Sequence, residues 1–149
     1  MPVNVVIPQS LSTANQTIVS TTTAVSSTST TWFPIDFFSA AEIKVAVTTC
    51  SGTLDVYLQR LVGQSYFTDD LYADNFAHFA QWSTGAFTTT GTYTLSFVNG
   101  GNSINQTSTI GVAANTIQTV NFGSYWRLGW VLGGASPTST FTIYGSFRA

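Results

Sequence analysis

The sequence predicts an all-β fold: a single-domain β-sandwich of jelly-roll type, with an extended N-terminal arm and one short helix or helical turn. Short alternations of apolar and polar residues, typical of half-buried strands, recur along the chain. Clusters of Gly, Asn, Pro and Ser separate them, as turns separate the strands of a sandwich. The 149 residues, of which 44% are hydrophobic, suffice for one compact domain with its own core.

Residues 1–12 are predicted to form the N-terminal arm or an edge strand, and residues 13–149 the sandwich domain. Pro2 and Pro8 bracket the apolar sequence VNVVI. Proline lacks the N–H group that an interior strand needs, so this segment is confined to a sheet edge or an extended arm.

The N-terminal arm carries apolar side chains that need cover. Val3, Val5 and Ile7 alternate along it, and an uncovered apolar edge strand tends to aggregate. We expect these residues to pair with, or pack against, a neighbouring chain by strand addition. The alternative is that they close the protein's own sheet, and the sequence leaves both open.

The segment of residues 17–31, rich in threonine and serine, allows two interpretations. Its low complexity favours a flexible linker. Its β-branched threonines favour a strand. We predict a strand over residues 16–26, although the alternation is poor, because the apolar Ile18 and Val19 fall on opposite faces.

Cleaner alternations predict the remaining strands. Residues 42–49 and 53–62, joined by the turn signal Ser51-Gly52, predict a β-hairpin. Asn99-Gly100-Gly101-Asn102 is a second turn signal, and Gly133-Gly134 with Pro137 is a third. Further strands are predicted at residues 92–98, 108–114, 116–122, 125–132 and 139–148.

Residues 68–82 differ in character and predict the short helix or helical turn. Thr68 can cap a helix, and Asp69 and Asp70 then fall in its first turn, where the helix dipole favours acidic side chains. The aromatic and apolar residues that follow are spaced loosely like one face of a helix.

Residues 125–132, with the sequence YWRLGWVL, are apolar on both parities, so both faces of this strand should be covered. One face belongs to the core. The face with Tyr125 and Arg127 is expected to meet another layer or another subunit, since large apolar patches are rare on monomers. Arg127 then either stacks on aromatic neighbours within the chain or anchors an interface beside Tyr125.

Charged residues make up only 7% of the chain, against about 25% in an ordinary soluble domain, and the formal net charge is −2. No basic stripe is present to contact phosphates, so we expect no free nucleic acid partner. No apolar run is long enough for a transmembrane helix, and the N-terminus lacks the pattern of a signal peptide, so we expect no membrane partner. A surface of hydroxyl and amide groups suits a protein held in an assembly.

The titratable residues form no pattern that indicates catalysis. His78 is the one histidine and Cys50 the one cysteine, whereas transition-metal sites need several such ligands. Asp69, Asp70 and Asp74 lack the spacing of a calcium loop. No nucleophile elbow and no phosphate loop is present in the sequence. We therefore expect a protein that is not an enzyme and that has no metal site and no cofactor.

A β-sandwich carbohydrate-binding module, on a tail or fibre, is the alternative function. Such a module stacks sugars on exposed aromatic rings, and the chain offers Trp32, Trp82, Trp126 and Trp130, the last two in an apparent central strand. A structural subunit accounts for more features: the scarcity of charge, the doubly apolar strand and the N-terminal arm.

Residues 115–147 resemble the C-terminal ends of small virion proteins of tailed bacteriophages, in which a strand with the motif R-x-x-W leads through a Gly/Ser/Pro turn into a final strand S-x-T-F-T-I. Head decoration, or cement, proteins are among these families. The resemblance implies a β-rich homotrimer on the capsid surface, bound to the major capsid protein. It also implies that five matching residues define the fold and form no ligand site: Arg127, Trp130, Pro137, Phe141 and Ile143.

Overall fold

The computed structural model describes residues 3–5, 12–61, 76–82, 86–100, 111–112, 117–120, 122 and 124–149. Within these residues the chain is all-β, as predicted, and its nine strands form a single sheet. The strands are β1 (Ser12–Ala24), β2 (Thr28–Ser29), β3 (Phe33–Pro34), β4 (Ala40–Leu61), β5 (Phe76–Trp82), β6 (Gly91–Asn99), β7 (Gly111–Val112), β8 (Ile117–Val120) and β9 (Tyr125–Arg148).

Two long strands, β4 and β9, form the centre of the sheet. They contain 22 and 24 residues, whereas most strands have about 5–6. They pair antiparallel along almost their whole length, from Ala40 opposite Arg148 to Arg60 opposite Trp126. Every other strand except β7 and β8 pairs directly with one of these two.

A bend divides β4 and β9 into two halves, which we call the first and second wings. The first wing contains residues 40–47 and 139–148, with β1 on one side and β6 and β8 on the other. The second wing contains residues 53–61 and 125–133, with β2 and β3 on one side and β5 and β7 on the other.

The bend comes from a break in register. Ser51 lies opposite Thr138 and Thr53 lies opposite Gly133, so Gly52 alone faces residues 134–137 of β9. Gly52 has a φ of +83°, which favours glycine, and a β-carbon there would collide with the Gly133 carbonyl oxygen. Bulged residues of this kind bend a strand and increase its twist.

The predicted hairpin at Ser51-Gly52 is therefore wrong. The runs at residues 42–49 and 53–62 belong to the one strand β4, and both pair with β9. The predicted turn at Gly133-Gly134 is likewise a bend within β9, and Gly134 has a φ of +122°. At both places the glycine bends the strand and does not reverse it.

The core lies where the inner faces of the two wings meet. Aromatic side chains of the first wing contact those of the second: the ring centroids of Phe141 and Trp130 are 5.2 Å apart, and those of Phe97 and Trp126 are 5.8 Å apart. The Trp126 indole also donates a hydrogen bond of 2.7 Å to the Phe122 carbonyl oxygen. Such contacts suit a β-sandwich, although the sandwich and its jelly-roll type stay predictions.

The structure assigns the threonine-rich segment to β1 and explains its poor alternation. Against β9, β1 has register shifts between Thr13 and Gln16, between Thr17 and Val19, and between Val19 and Thr22. Each extra residue changes the parity of the strand, so Ile18 and its neighbour Val19 are both buried. Bulges also protect an edge strand from pairing with other chains.

The prediction of a helical turn fails where the structure can test it. Residues 76–82 form β5, which pairs antiparallel with the end of β4. Residues 68–75 lie outside the described part. Pairing with an existing strand supplies the backbone hydrogen bonds of this segment and outweighs a weak local helical pattern. The predicted strands at 92–98, 108–114 and 116–122 correspond to β6, β7 and β8.

The packing of Trp130 gives a first test. Its side chain is 2% exposed and meets Phe141 edge-to-face. We expect Trp130→Ala to lower the free energy of unfolding by about 3–5 kcal/mol, measured by urea denaturation, because the change leaves a cavity between the wings. The neighbouring Val131 is 44% exposed and supplies the control. Val131→Ala should change the free energy of unfolding by about 0.5 kcal/mol or less. Equal effects of the two variants would contradict the assignment of Trp130 to the inner face of the sheet and of Val131 to the outer face.

The bend gives a second test. Gly52→Ala should destabilise the protein by about 1–3 kcal/mol, because alanine is strained at this φ. Ser51→Ala changes an exposed neighbour in the same bend and should have little effect. If thermal denaturation shows no difference between these two variants, Gly52 does not have the left-handed backbone described above.

Candidate functional site

The outer face of the second wing gathers aromatic and hydrogen-bonding side chains around Arg127. In β9 the inward parity is buried, and the opposite parity places Tyr125 and Arg127 on the outer face. Neighbouring elements add three more side chains to this face. We call the set the outer patch: Trp32, Tyr57, Gln59, Tyr125 and Arg127.

Arg127 is held from two directions within its own chain. Its guanidinium carbon lies 4.7 Å from the centre of the Trp32 ring, a cation–π distance. Its Nε donates a hydrogen bond of 2.5 Å to Oε1 of Gln59, which lies directly opposite in the β4–β9 register. Partial burial lowers the pKa of Arg127 from its usual value, and Tyr57 raises it in part. The arginine is therefore stacked within the chain, as one of the two interpretations requires.

Tyr57 occupies the space above Gly129. The two residues lie opposite each other in the register, and a β-carbon on Gly129 would come within 2.6 Å of three atoms of the Tyr57 side chain. Burial raises the pKa of the Tyr57 hydroxyl, Arg127 lowers it in part, and Asp55 raises it. The glycine at the centre of YWRLGWVL thus makes room for a ring from the neighbouring strand.

The outer patch is a packed surface and not an open cleft. Gln59 is 2% exposed, and the other four members are half-buried. Within the described part of the chain, the buried Nε1 of Trp32 has no hydrogen-bond partner. Because Trp32 and Gln59 hold Arg127, the patch presents a preformed cationic group beside aromatic rings.

The predicted interface residues Val3 and Val5 of the N-terminal arm contact the segment that directly precedes Trp32. Val3 forms a parallel bridge with Thr30, accepting a hydrogen bond of 2.6 Å from the Thr31 N–H. Val5 is 7% exposed, and its N–H donates to Oγ1 of Thr31 over 3.0 Å. Ile7 lies outside the described residues. These two valines contact their own chain, and strand addition to a neighbour stays a prediction.

The candidate catalytic and metal-ligating residues are not brought together where the structure describes them. His78 lies in β5, opposite Gln59 in the register, and Asp69, Asp70 and Asp74 lie outside the described residues. In the described part, no group of three or more His, Cys, Asp or Glu residues could hold a metal ion. Cys50 accepts a hydrogen bond of 3.4 Å from the buried Ser139.

The described residues contain no helix that is long and apolar enough to cross a membrane.

The sequence analysis named Tyr125 and Arg127 of the outer patch. It missed Gln59 as the partner of Arg127, and Tyr57 as the side chain that packs over Gly129. The outward parity of Tyr57 and Gln59 was visible in the alternation of residues 53–62. Their position opposite β9 was not, because the turn signal at Ser51-Gly52 suggested a different partner strand.

The packing of Tyr57 over Gly129 gives a double-mutant test. We expect Gly129→Ala to destabilise the native protein by about 1–3 kcal/mol, because the new methyl group displaces the Tyr57 ring. In a Tyr57→Ala background, Gly129→Ala should stabilise the protein by about 0.4–1 kcal/mol. Without the ring the new methyl group meets no obstacle, and its remaining effect is to reduce the conformational freedom of the unfolded chain. Additive effects in urea denaturation would show that the two residues do not touch.

Comparison with known proteins assigns the chain to no group. No protein family matches it, no curated protein matches it, and no solved structure matches it.

Proposed function

We propose that the protein is a non-enzymatic structural protein of a virus particle, which decorates or cements the phage capsid through protein–protein contacts. In this role it forms a homotrimer on the capsid surface and binds the major capsid protein. The observation that carries the proposal is the outer patch, where Arg127 is stacked on Trp32 beside Tyr57.

The residue types of the outer patch support a protein interface. Tryptophan, tyrosine and arginine are the residues most enriched among those that dominate binding energy between proteins. Such residues act most strongly when they are already held in the bound arrangement, because less side-chain entropy is lost on contact. The stack of Arg127 on Trp32 and its bond to Gln59 supply that order.

The scarcity of charge supports an assembled protein. Only four Lys or Arg and six Asp or Glu residues are present in the chain. Two of these form an ion pair, with Lys44 Nζ 3.0 Å from Glu42 Oε1. A surface with so little charge repels like copies weakly, so many copies can stand side by side on a shell. Weak contacts then sum by multivalency.

A carbohydrate-binding module remains the second candidate, and one observation favours it. Tyr57 lies across Gly129 on a β-sheet face, with Gln59 and Arg127 beside it. Aromatic rings flanked by hydrogen-bonding groups can also hold a sugar. Trp126 and Trp130 are excluded from that task because they are 0% and 2% exposed. Tyr57 or Trp32 would carry the stacking.

Substitution of Arg127 tests the interface. We expect Arg127→Ala to weaken binding to capsids by about 2 kcal/mol or more, roughly thirtyfold in Kd, with the fold retained. Arg148→Ala is the matched control, because Arg148 is exposed at the end of β9 outside the patch. Arg127→Lys keeps the charge but loses the planar stacking group, and should also bind weakly.

Three measurements distinguish the outcomes. Co-sedimentation with capsids measures binding, and light scattering measures the oligomeric state of the free protein. Images of purified virions labelled for this chain show where it is located. Native-like binding by both Arg127 variants would exclude the outer patch as the interface. Saturable binding to a glycan array that is lost in Tyr57→Ala, but kept in Arg148→Ala, would favour the carbohydrate-binding function.

A further inference from the structure

We propose that Asn99 is a self-modification site, at which the backbone nitrogen of Gly100 converts the side-chain amide into a carboxylate. The chain contains a single Asn-Gly sequence, and it stands at the end of β6. Asn99 and Gly100 are both exposed, so water and base reach the reacting atoms. This inference is independent of the outer patch and of the proposed function.

The residue after the asparagine decides which amide reacts. Gly100 has no β-carbon, so its backbone nitrogen can approach the Asn99 side chain with little steric hindrance, and its dihedral angles are the least restricted of any residue. The other asparagines in the described part, Asn4 and Asn15, precede Val5 and Gln16, whose side chains obstruct the same approach.

The surroundings of Asn99 assist the attack. The Phe122 N–H donates a hydrogen bond of 3.4 Å to Oδ1 of Asn99. A donor at this oxygen draws electron density from the amide carbon and stabilises the negative charge that develops on the oxygen during attack. The Asn99 N–H donates a hydrogen bond of 2.7 Å to the Ser39 carbonyl oxygen, which anchors the backbone of Asn99 on its N-terminal side. Gly100 follows after the end of β6.

The reaction is balanced with water as the only co-reactant. The Gly100 nitrogen loses its proton to solvent base and bonds to Cγ of Asn99, and the side-chain nitrogen takes up a proton from solvent and leaves as ammonia. The resulting cyclic imide then adds one water molecule. Opening at one carbonyl gives aspartate, and opening at the other gives isoaspartate with the main chain routed through the side-chain carbon.

The two products have different effects on the end of β6. Aspartate keeps the Oδ1 acceptor for the Phe122 N–H and makes that hydrogen bond charge-assisted. Isoaspartate adds a backbone atom beside the parallel pairing of Asn99 with Val120 and disturbs it. Either product makes the net charge one unit more negative than the formal −2 of the chain.

Peptide mapping of the purified, folded chain tests the proposal. After incubation at neutral and mildly alkaline pH, we expect loss of ammonia at Asn99, with aspartate and isoaspartate in the mapped peptide. Conversion should be faster at the higher pH, because the attacking nitrogen must lose a proton. Asn4 and Asn15 serve as internal controls and should keep their amides.

Gly100→Ala should lose the modification at Asn99, and circular dichroism shows whether this variant folds. If Gly100→Ala does not fold, the pH dependence and the internal controls in the native chain still test the proposal. The proposal is overturned if Asn99 keeps its amide in the folded chain, in particular if it reacts only after denaturation in urea. Equal conversion of Asn4, Asn15 and Asn99 would overturn it as well.

Discussion

The antiparallel pairing of β4 with β9 is the interaction on which the rest of the structure depends. These strands form the shared centre of both wings, and they carry many of the buried hydrophobic side chains in the described part, among them Ile43, Leu54, Trp126 and Phe141. The register breaks at the same place in both strands, around Gly52 and Gly134, so the sheet bends there. The bend brings the inner faces of one continuous sheet together, and Trp130 meets Phe141 of its own strand across the core.

The same register builds the outer patch. It places Gln59 opposite Arg127 and Tyr57 opposite Gly129, so both of these contacts cross from β4 to β9. A slip of one residue would turn all of these side chains to the other face. The buried side chains on the inner parity prevent that slip, because it would expose the core. The patch is therefore fixed by the hydrophobic packing on the opposite side of the sheet.

The sequence alone predicted the all-β class and most strand positions, because alternation is a local signal. It failed where one local signal has two structural outcomes. Glycine at position 52 can reverse a chain or bend it, and only the distant β9, which pairs across the break, decides between them. The same holds for residues 76–82, which become a strand by pairing with β4. Arg127 and Tyr125 could be identified from the pattern of residues 125–132, but the position of Gln59 opposite Arg127 required the register.

Several polar side chains in the described part of the chain are paired without charges. Threonine hydroxyls pair across β1 and β9, with oxygen–oxygen distances of 2.7 Å between Thr21 and Thr142 and 2.8 Å between Thr23 and Thr140. Cross-strand pairs of this kind stabilise a sheet without attracting or repelling other chains over a distance. Arg127 is likewise held by two uncharged groups, the Gln59 amide and the Trp32 ring. The side chain at the centre of the outer patch is thus positioned by the same kind of short-range contact that joins the strands of the sheet.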